Sequence, residues 1–175
     1  MKIAIIRQKY ASYGGAEKFS AQYIDRLAQL GYEVHIFARE WKTSGHPNVH
    51  LHQISVKSKS STLRLLEFNQ EVERELSKHS FDLIQSHERT STQDIYRAGD
   101  GCHKEWLAQR KKYYAIKGWL SFLNPFHWAV LKIEREIFTP ENYKKIVAIS
   151  QMVKKDIQYH YKLQDKDISV IHNGV

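Results

Sequence analysis

The stretch KIAIIRQKYASYGGAEKFSAQYIDRLAQLGYEVHIFA, residues 2–38, decides the fold. Its opening KIAIIR (2–7) is a β-branched run between polar flanks, the pattern of a strand buried on both faces of a parallel sheet. Ala16, Phe19, Tyr23, Leu27 and Leu30 then recur at helical spacing and make one apolar stripe. Gly31 stands where a left-handed residue closes a helix, and EVHIFA (33–38) returns to a strand pattern. The order is strand, glycine-rich turn, helix, strand, the first crossover of a doubly wound sheet. Gly14 and Gly15 sit in the turn, where glycine lets backbone bend sharply or lie bare against a ligand.

Working outward, the same alternation continues. VHLHQISV (49–56) alternates apolar and polar residues, which suits a strand near a sheet edge. KSKSST (57–62) is a polar loop whose Ser61 is a fair N-cap, and Leu65, Phe68, Val72 and Leu76 form the next helical stripe. FDLIQSHE (81–88) reads as a fourth strand, and residues 102–138 read as mainly helical with a break near Pro125. KKIVAIS (144–150) is a fifth strand, Ser150 caps the helix QMVKKDIQYHY, and DISVIHNGV (167–175) is a sixth strand leading into a turn. The expected class is α/β, a doubly wound and mostly parallel sheet of Rossmann-like topology with right-handed crossovers. Ligands bind such sheets at the strand carboxyl ends. Those ends carry Arg7, Arg39, Glu40, His87, Glu88, Arg89, Ser150, His172 and Asn173.

A chain of 175 residues with 42% hydrophobic and 12% aromatic content has room for one well-buried core. It has no apolar run of membrane-span length and no signal-peptide core at its start, and its single cysteine, Cys102, excludes an internal disulfide. A reducing cytoplasm is the expected compartment. The formal charge of +8 admits three partners: nucleic acid, an anionic membrane surface or a phosphorylated substrate. The turn lacks the G-x-G-x-x-G of a dinucleotide site, although Glu40 occupies the place of a ribose-binding acid, and no phosphate-binding G-x-x-x-x-G-K-[ST] occurs.

Four segments, YGGAEKFSAQYIDRLAQLGYEVHIFA, FDLIQSHE, KKIVAISQMVKKDI and ISVIHNGV, resemble in order and spacing the N-terminal half of glycosyltransferase family 4. YRAGDGCHKEW (96–106) and the basic aromatic segment after it are most similar to the glucosyltransferases of lipopolysaccharide core synthesis. The resemblance implies two Rossmann-like halves facing across a cleft, with acceptor bound by the first and nucleotide sugar by the second. It implies retention of anomeric configuration, with no cofactor and no essential metal. VIHNGV resembles the crossing point between the halves, so residues 1–175 are expected to be the acceptor half without the donor half, and inactive alone.

Within this frame Gly14 and Gly15 bring bare backbone to the sugar or diphosphate, with helix amides facing its negative charge, or else only form a tight turn. Glu17 is either an acceptor contact or an acid suited to the first helical turn. Asp100, between Gly99 and Gly101, matches the acidic residue of the lipopolysaccharide core enzymes and is the candidate to accept a hydrogen bond or proton from the acceptor hydroxyl; a plain Asp-Gly turn is the alternative. His87 is a candidate to donate to a sugar hydroxyl or stabilise charge at the transition state, and a strand-end histidine satisfied by backbone is the alternative. Arg89 is a candidate phosphate ligand, and His103 an acceptor contact. Neither His103 nor Cys102 has the spacing of a zinc site.

HKEWLAQRKKYYAIKGWLSFLNPFHWAVLKIER (103–135) interleaves bases with aromatics. Lys111, Lys112, Trp119, Phe122, Phe126 and Trp128 are the candidate contacts of an interface with anionic lipid at the inner face of the cytoplasmic membrane. Stacking on nucleic-acid bases and simple core packing are the competing readings, and no nucleic-acid module is present. The function expected is transfer of a sugar from a nucleotide donor to an envelope glycan or lipid-linked acceptor. The rivals are a non-catalytic carbohydrate- or membrane-binding module of the same fold and a nicotinamide-dependent oxidoreductase.

Overall fold

The computed structural model describes residues 1–9, 15–41, 45–114 and 121–173. Among them seven parallel strands form one sheet: β1 (Lys2–Ile6), β2 (Glu33–Ala38), β3 (Val49–Gln53), β4 (Leu83–Ser86), β5 (Ile95–Ala98), β6 (Lys145–Ala148) and β7 (Ile168–Val170), in the order β3-β2-β1-β4-β5-β6-β7. The helices are α1 (Gly15–Gln29), α2 (Ser61–Leu76), α3 (His103–Tyr113), α4 (Pro125–Ile137) and α5 (Gln151–Tyr161). The chain winds outward from β1 to β3, then returns to lay β4 beside β1. That reversal opens the crevice in which doubly wound sheets hold ligands.

Alternation in β1 explains why its sequence is apolar throughout. Ile3 and Ile5 pack with Ile24 of α1 and with Val34 and Ile36 of β2, while Ala4 and Ile6 face the other way, onto Phe68, Val72 and Leu76 of α2. A second core joins Tyr96, Ala98, Ile146 and Ala148 of the sheet to Ile133 and Ile137 of α4 and Val153 and Ile157 of α5. Local signals set the ends. Gly31 has φ +85°, the left-handed stop expected after α1. Ser150 accepts from the Val153 amide at 3.2 Å and caps α5. Asn124 caps α4 by accepting from the Phe126 amide, with Pro125 in the first turn.

Three sequence expectations need correction. The segment IYRA forms β5, a strand not anticipated in the reading of that motif; it is short and carries Arg97 in its middle, so it lacks the apolar run that marked its neighbours. Ser61 begins α2, and Ser60 flanks it in extended conformation without a side-chain cap bond. The strands expected over 49–56, 81–88, 144–150 and 167–175 are shorter, and parallel pairing covers only Val49–Gln53, Leu83–Ser86, Lys145–Ala148 and Ile168–Val170.

One long-range contact fixes the second half of the fold. Cys102 precedes α3 and offers no cap bond, yet the His103 and Lys104 amides donate to the Glu134 carboxylate at 2.7 and 3.1 Å. Glu134, on α4, is fully buried; it also accepts from Tyr161 Oη at 2.6 Å and pairs with Arg89 Nε at 3.6 Å. A carboxylate taken out of water costs several kcal/mol unless its oxygens are satisfied, and here they are met by helix amides, a hydroxyl and a cation. α3, α4, α5 and the end of β4 are thereby tied at one point.

Candidate functional site

The carboxyl ends of β1, β4 and β5 converge on a polar rim. Arg7 donates to the His87 carbonyl at 3.1 Å and pairs with Glu88 at 3.3 Å. The Gln8 amide donates to Glu88 Oε1 at 3.1 Å. Arg89 donates to Asp100 Oδ2 at 3.4 Å and to the Gly101 carbonyl at 3.3 Å, while its Nε faces Glu134. Arg89 is thus gripped from behind by a buried carboxylate and presents Asp100, which is 57% exposed, at the rim. The flanking glycines have separate physical reasons. Gly101 has φ +70°, and a Cβ on Gly99 would stand 3.0 Å from the Arg97 guanidinium.

Beside this rim lies a cavity of about 240 Å³, lined by Gln8, Ser61, Arg64, Leu65, Glu88, Arg89 and Phe126. Two guanidinium-bearing side chains and the start of α2 make it fit for an anionic group. Burial raises the Glu88 carboxyl above the ordinary range, against the opposing pull of Arg7. Among the described residues Glu88 is the cleft carboxylate to which the sequence reading gave no role. Its signal was its place at a strand end between His87 and Arg89.

His87 is behind this surface. It is 3% exposed; the Gln85 amide donates to its Nε2 at 2.7 Å, so Nδ1 carries the proton and donates to Ser20 Oγ at 3.2 Å. Tyr23 Oη donates to Gln85 Oε1 at 2.9 Å and fixes the amide. Burial, with the nearby Arg97 and Arg7 charges, pushes the imidazole down to about 3, so it is neutral at physiological pH. Both ring nitrogens are engaged by side chains, where the sequence reading names backbone as the alternative partner. His103 stands nearer the rim, stacked on Trp106 with ring centroids 5.4 Å apart and bonded to His127 at 3.1 Å. Burial, Arg89 and His127 push it down to about 4.

The remaining predicted residues divide. Gly15 is the first residue of α1, whose Phe19 lies 4.2 Å beneath the Arg97 guanidinium. Arg97 also donates to the Asn173 side chain, joining β5 to the segment after β7. Gly14 and Trp119 lie outside the described residues, as do the side chains of Glu17 and Phe122. Phe126, expected at a lipid interface, is half-buried and forms a wall of the cavity, because the cap at Asn124 and Pro125 turns the start of α4 toward the cleft. Lys111 and Lys112 are exposed on α3, and Trp128 is exposed on α4. Glu40 pairs with Lys9 at 3.1 Å. No helix among the described residues is long and apolar enough to cross a membrane.

Strand order and rim together define a Rossmann-like α/β domain with a cleft beside the β1/β4 reversal. The family model of Glycosyltransferase Family 4 matches residues 13–175, and the chain belongs to that family. It is 24% identical over 175 residues to the lipopolysaccharide glucosyltransferase WaaG of Escherichia coli (strain K12), covering all of this chain and 45% of that protein. A crystal structure of WaaG, a glycosyltransferase involved in lipopolysaccharide biosynthesis, superposes with TM-score 0.85 at 23% identity, covering 97% of this chain and 44% of that one. The lipopolysaccharide outer core galactosyltransferase WaaB matches with TM-score 0.56 at 19% identity, over all of this chain and 46% of that one. The chain therefore spans about half the length of the relatives it matches.

The buried neutral histidine gives a prediction with a definite sign. A histidine depressed in the folded state stabilises the fold above its unfolded value, near 6.5, and that stability is lost as pH falls from there toward about 3. Each pH unit in this window costs about 1.4 kcal/mol through a single such group. Melting temperature should fall steeply between pH 7 and 4.5, and His87→Gln should flatten the fall while lowering stability at pH 7. An identical slope in the variant would remove His87 as its origin.

Proposed function

We propose that this chain is the acceptor-binding half of a retaining glycosyltransferase that passes a sugar from a nucleotide donor to an anionic envelope glycan. The supporting observation is the juxtaposition, at the strand carboxyl ends, of a cavity carrying Arg64 and Arg89 with the Arg89-held Asp100. The arginines and the start of α2 hold the acceptor's anionic group, which orients its hydroxyl. Asp100 accepts the hydroxyl proton as the new glycosidic bond forms, while the bond to the nucleotide diphosphate breaks and its electron pair leaves with the diphosphate. Neutral His103 hydrogen-bonds the sugar without adding charge, and Glu88 is a second carboxyl facing the acceptor. Gly14, Gly15 and Glu17, at and before the start of α1, are assigned to acceptor binding as the family resemblance implies. The nucleotide sugar is bound by a donor half, as the family resemblance implies.

The outer surface of α3 and α4 supplies the second element of the proposal. Lys111, Lys112, Tyr113, Tyr114, Trp106 and Trp128 present exposed bases and aromatics, the composition that seats a protein on anionic lipid at the cytoplasmic face of a membrane. Trp119 and Phe122, which lie between α3 and α4 in sequence, are assigned to the same interface. An enzyme extending a lipid-linked glycan works where its acceptor is anchored.

Two outcomes check this reading. In transfer assays of the full-length protein, Asp100→Asn should lower kcat about 100-fold or more with unchanged melting temperature, whereas Arg64→Ala should mainly raise the acceptor KM. Undiminished turnover in Asp100→Asn would remove that residue from the chemistry, and acceptor binding without turnover in the wild type would favour a non-catalytic module. In vesicle sedimentation, Lys111→Ala with Lys112→Ala and Trp128→Ala should weaken binding to anionic vesicles about tenfold or more, and added salt should do the same. Unchanged binding would refute the membrane surface.

A further inference from the structure

Away from the cleft, the β2/β3 edge of the sheet carries a cluster of histidines and glutamates. Glu33 and His35 stand on β2, His50 and His52 on β3, and Glu75 and His79 at and beyond the end of α2. The cluster lies on the α2 face, where His52 stacks on Phe37 with centroids 4.6 Å apart and meets His79 at 4.8 Å. Two sets of three residues bring ligand atoms within 4.8 Å of one another: Glu33, His35 and His50, and His52, Glu75 and His79. His35 joins them, with Nε2 2.8 Å from Glu33 Oε1 and Nδ1 2.7 Å from His52 Nε2.

Proton placement separates the two sets. The Glu33 carboxylate accepts at 2.8 Å, so His35 Nε2 carries the proton of that bond. With its Nε2 proton given to Glu33, His35 accepts at Nδ1, and His52 Nε2 is the donor of the 2.7 Å bond. His52 Nδ1 is then a bare lone pair. The first set has spent its His35 Nε2 on Glu33; the second has a free imidazole nitrogen on His52, a carboxylate and another imidazole.

We propose that His52, Glu75 and His79 bind one divalent transition-metal ion of the zinc class, with His35 and Glu33 as the hydrogen-bonded relay that orients His52. Two imidazoles and a carboxylate are a zinc-type donor set, with a fourth position left for water. A ligating histidine that donates its other N–H to a neighbour is the usual outer arrangement of such sites. Donors at about 2.0–2.1 Å from a tetrahedral ion stand about 3.3 Å apart, so atoms within 4.8 Å close on it by side-chain rotation. Glu75 now pairs with Lys78, whose ammonium the ion displaces. The ion clamps edge strand β3 to the end of α2 and shares no residue with the rim at Arg89 and Asp100.

The test is calorimetric titration of the full-length, tag-free protein with zinc chloride in excess magnesium, with cobalt(II) absorption as a second readout of tetrahedral nitrogen and oxygen ligation. One equivalent should bind at micromolar or tighter concentration, and His79→Gln and Glu75→Gln should each weaken binding on the order of tenfold or more. His50→Gln and His103→Gln should leave it unchanged. Each variant is compared with its own melting temperature in chelator, so that misfolding is not counted as lost binding. No wild-type binding, wild-type affinity retained in either His79→Gln or Glu75→Gln, or loss confined to His50→Gln would overturn the assignment.

Discussion

The buried carboxylate of Glu134 is the contact on which the functional half of the molecule depends. It replaces the missing cap of α3, takes the Tyr161 hydroxyl and faces the Arg89 guanidinium, so one charge on α4 positions two helices and the end of β4. Because the ion and its partners are dry, moving any of them leaves a charge or amide unpaired, and the geometry is held far more tightly than a surface ion pair would hold it. Asp100 inherits that rigidity. It is an exposed residue in a turn between two glycines, yet its partner is anchored in the core.

The same logic runs through the cleft. Charges are kept where a ligand can meet them, at Arg64, Glu88, Arg89 and Asp100, while the histidines nearby are held neutral by burial and by adjacent arginines. His87 works as a structural strut between α1 and β4, with both ring nitrogens engaged. The sequence carries a formal charge of +8, and α3 exposes Lys111 and Lys112 near its end.

Much of the fold was legible because its causes are local. β1, β2 and β6 carry β-branched residues among apolar ones, Gly31 and Ser150 end and begin helices by their own chemistry, and family membership follows from segments spread along the chain. What was not legible depends on distance. Glu134 reads as one more charge in an amphipathic helix until folding brings His103 and Arg89 to it, 31 and 45 residues away in sequence. β5 is four residues with an arginine inside, and its strand character comes from pairing with β4 and β6. The histidines of VHLHQ look like the polar side of an edge strand, and only the register of β3 on β2 places them against His35. Phe126 shared its composition with the surface aromatics, and the Asn124 cap turned it inward.

The central claim is that the rim held by Glu134 and Arg89 is where a glycan acceptor sits. Amide chemical shifts of the isotope-labelled protein, followed during titration with an anionic lipopolysaccharide core oligosaccharide, test it most directly. The account predicts saturable shifts concentrated at Gln8, Arg64, Glu88, Arg89 and Asp100. Shifts absent from those residues, or concentrated on the β2/β3 edge, would contradict it.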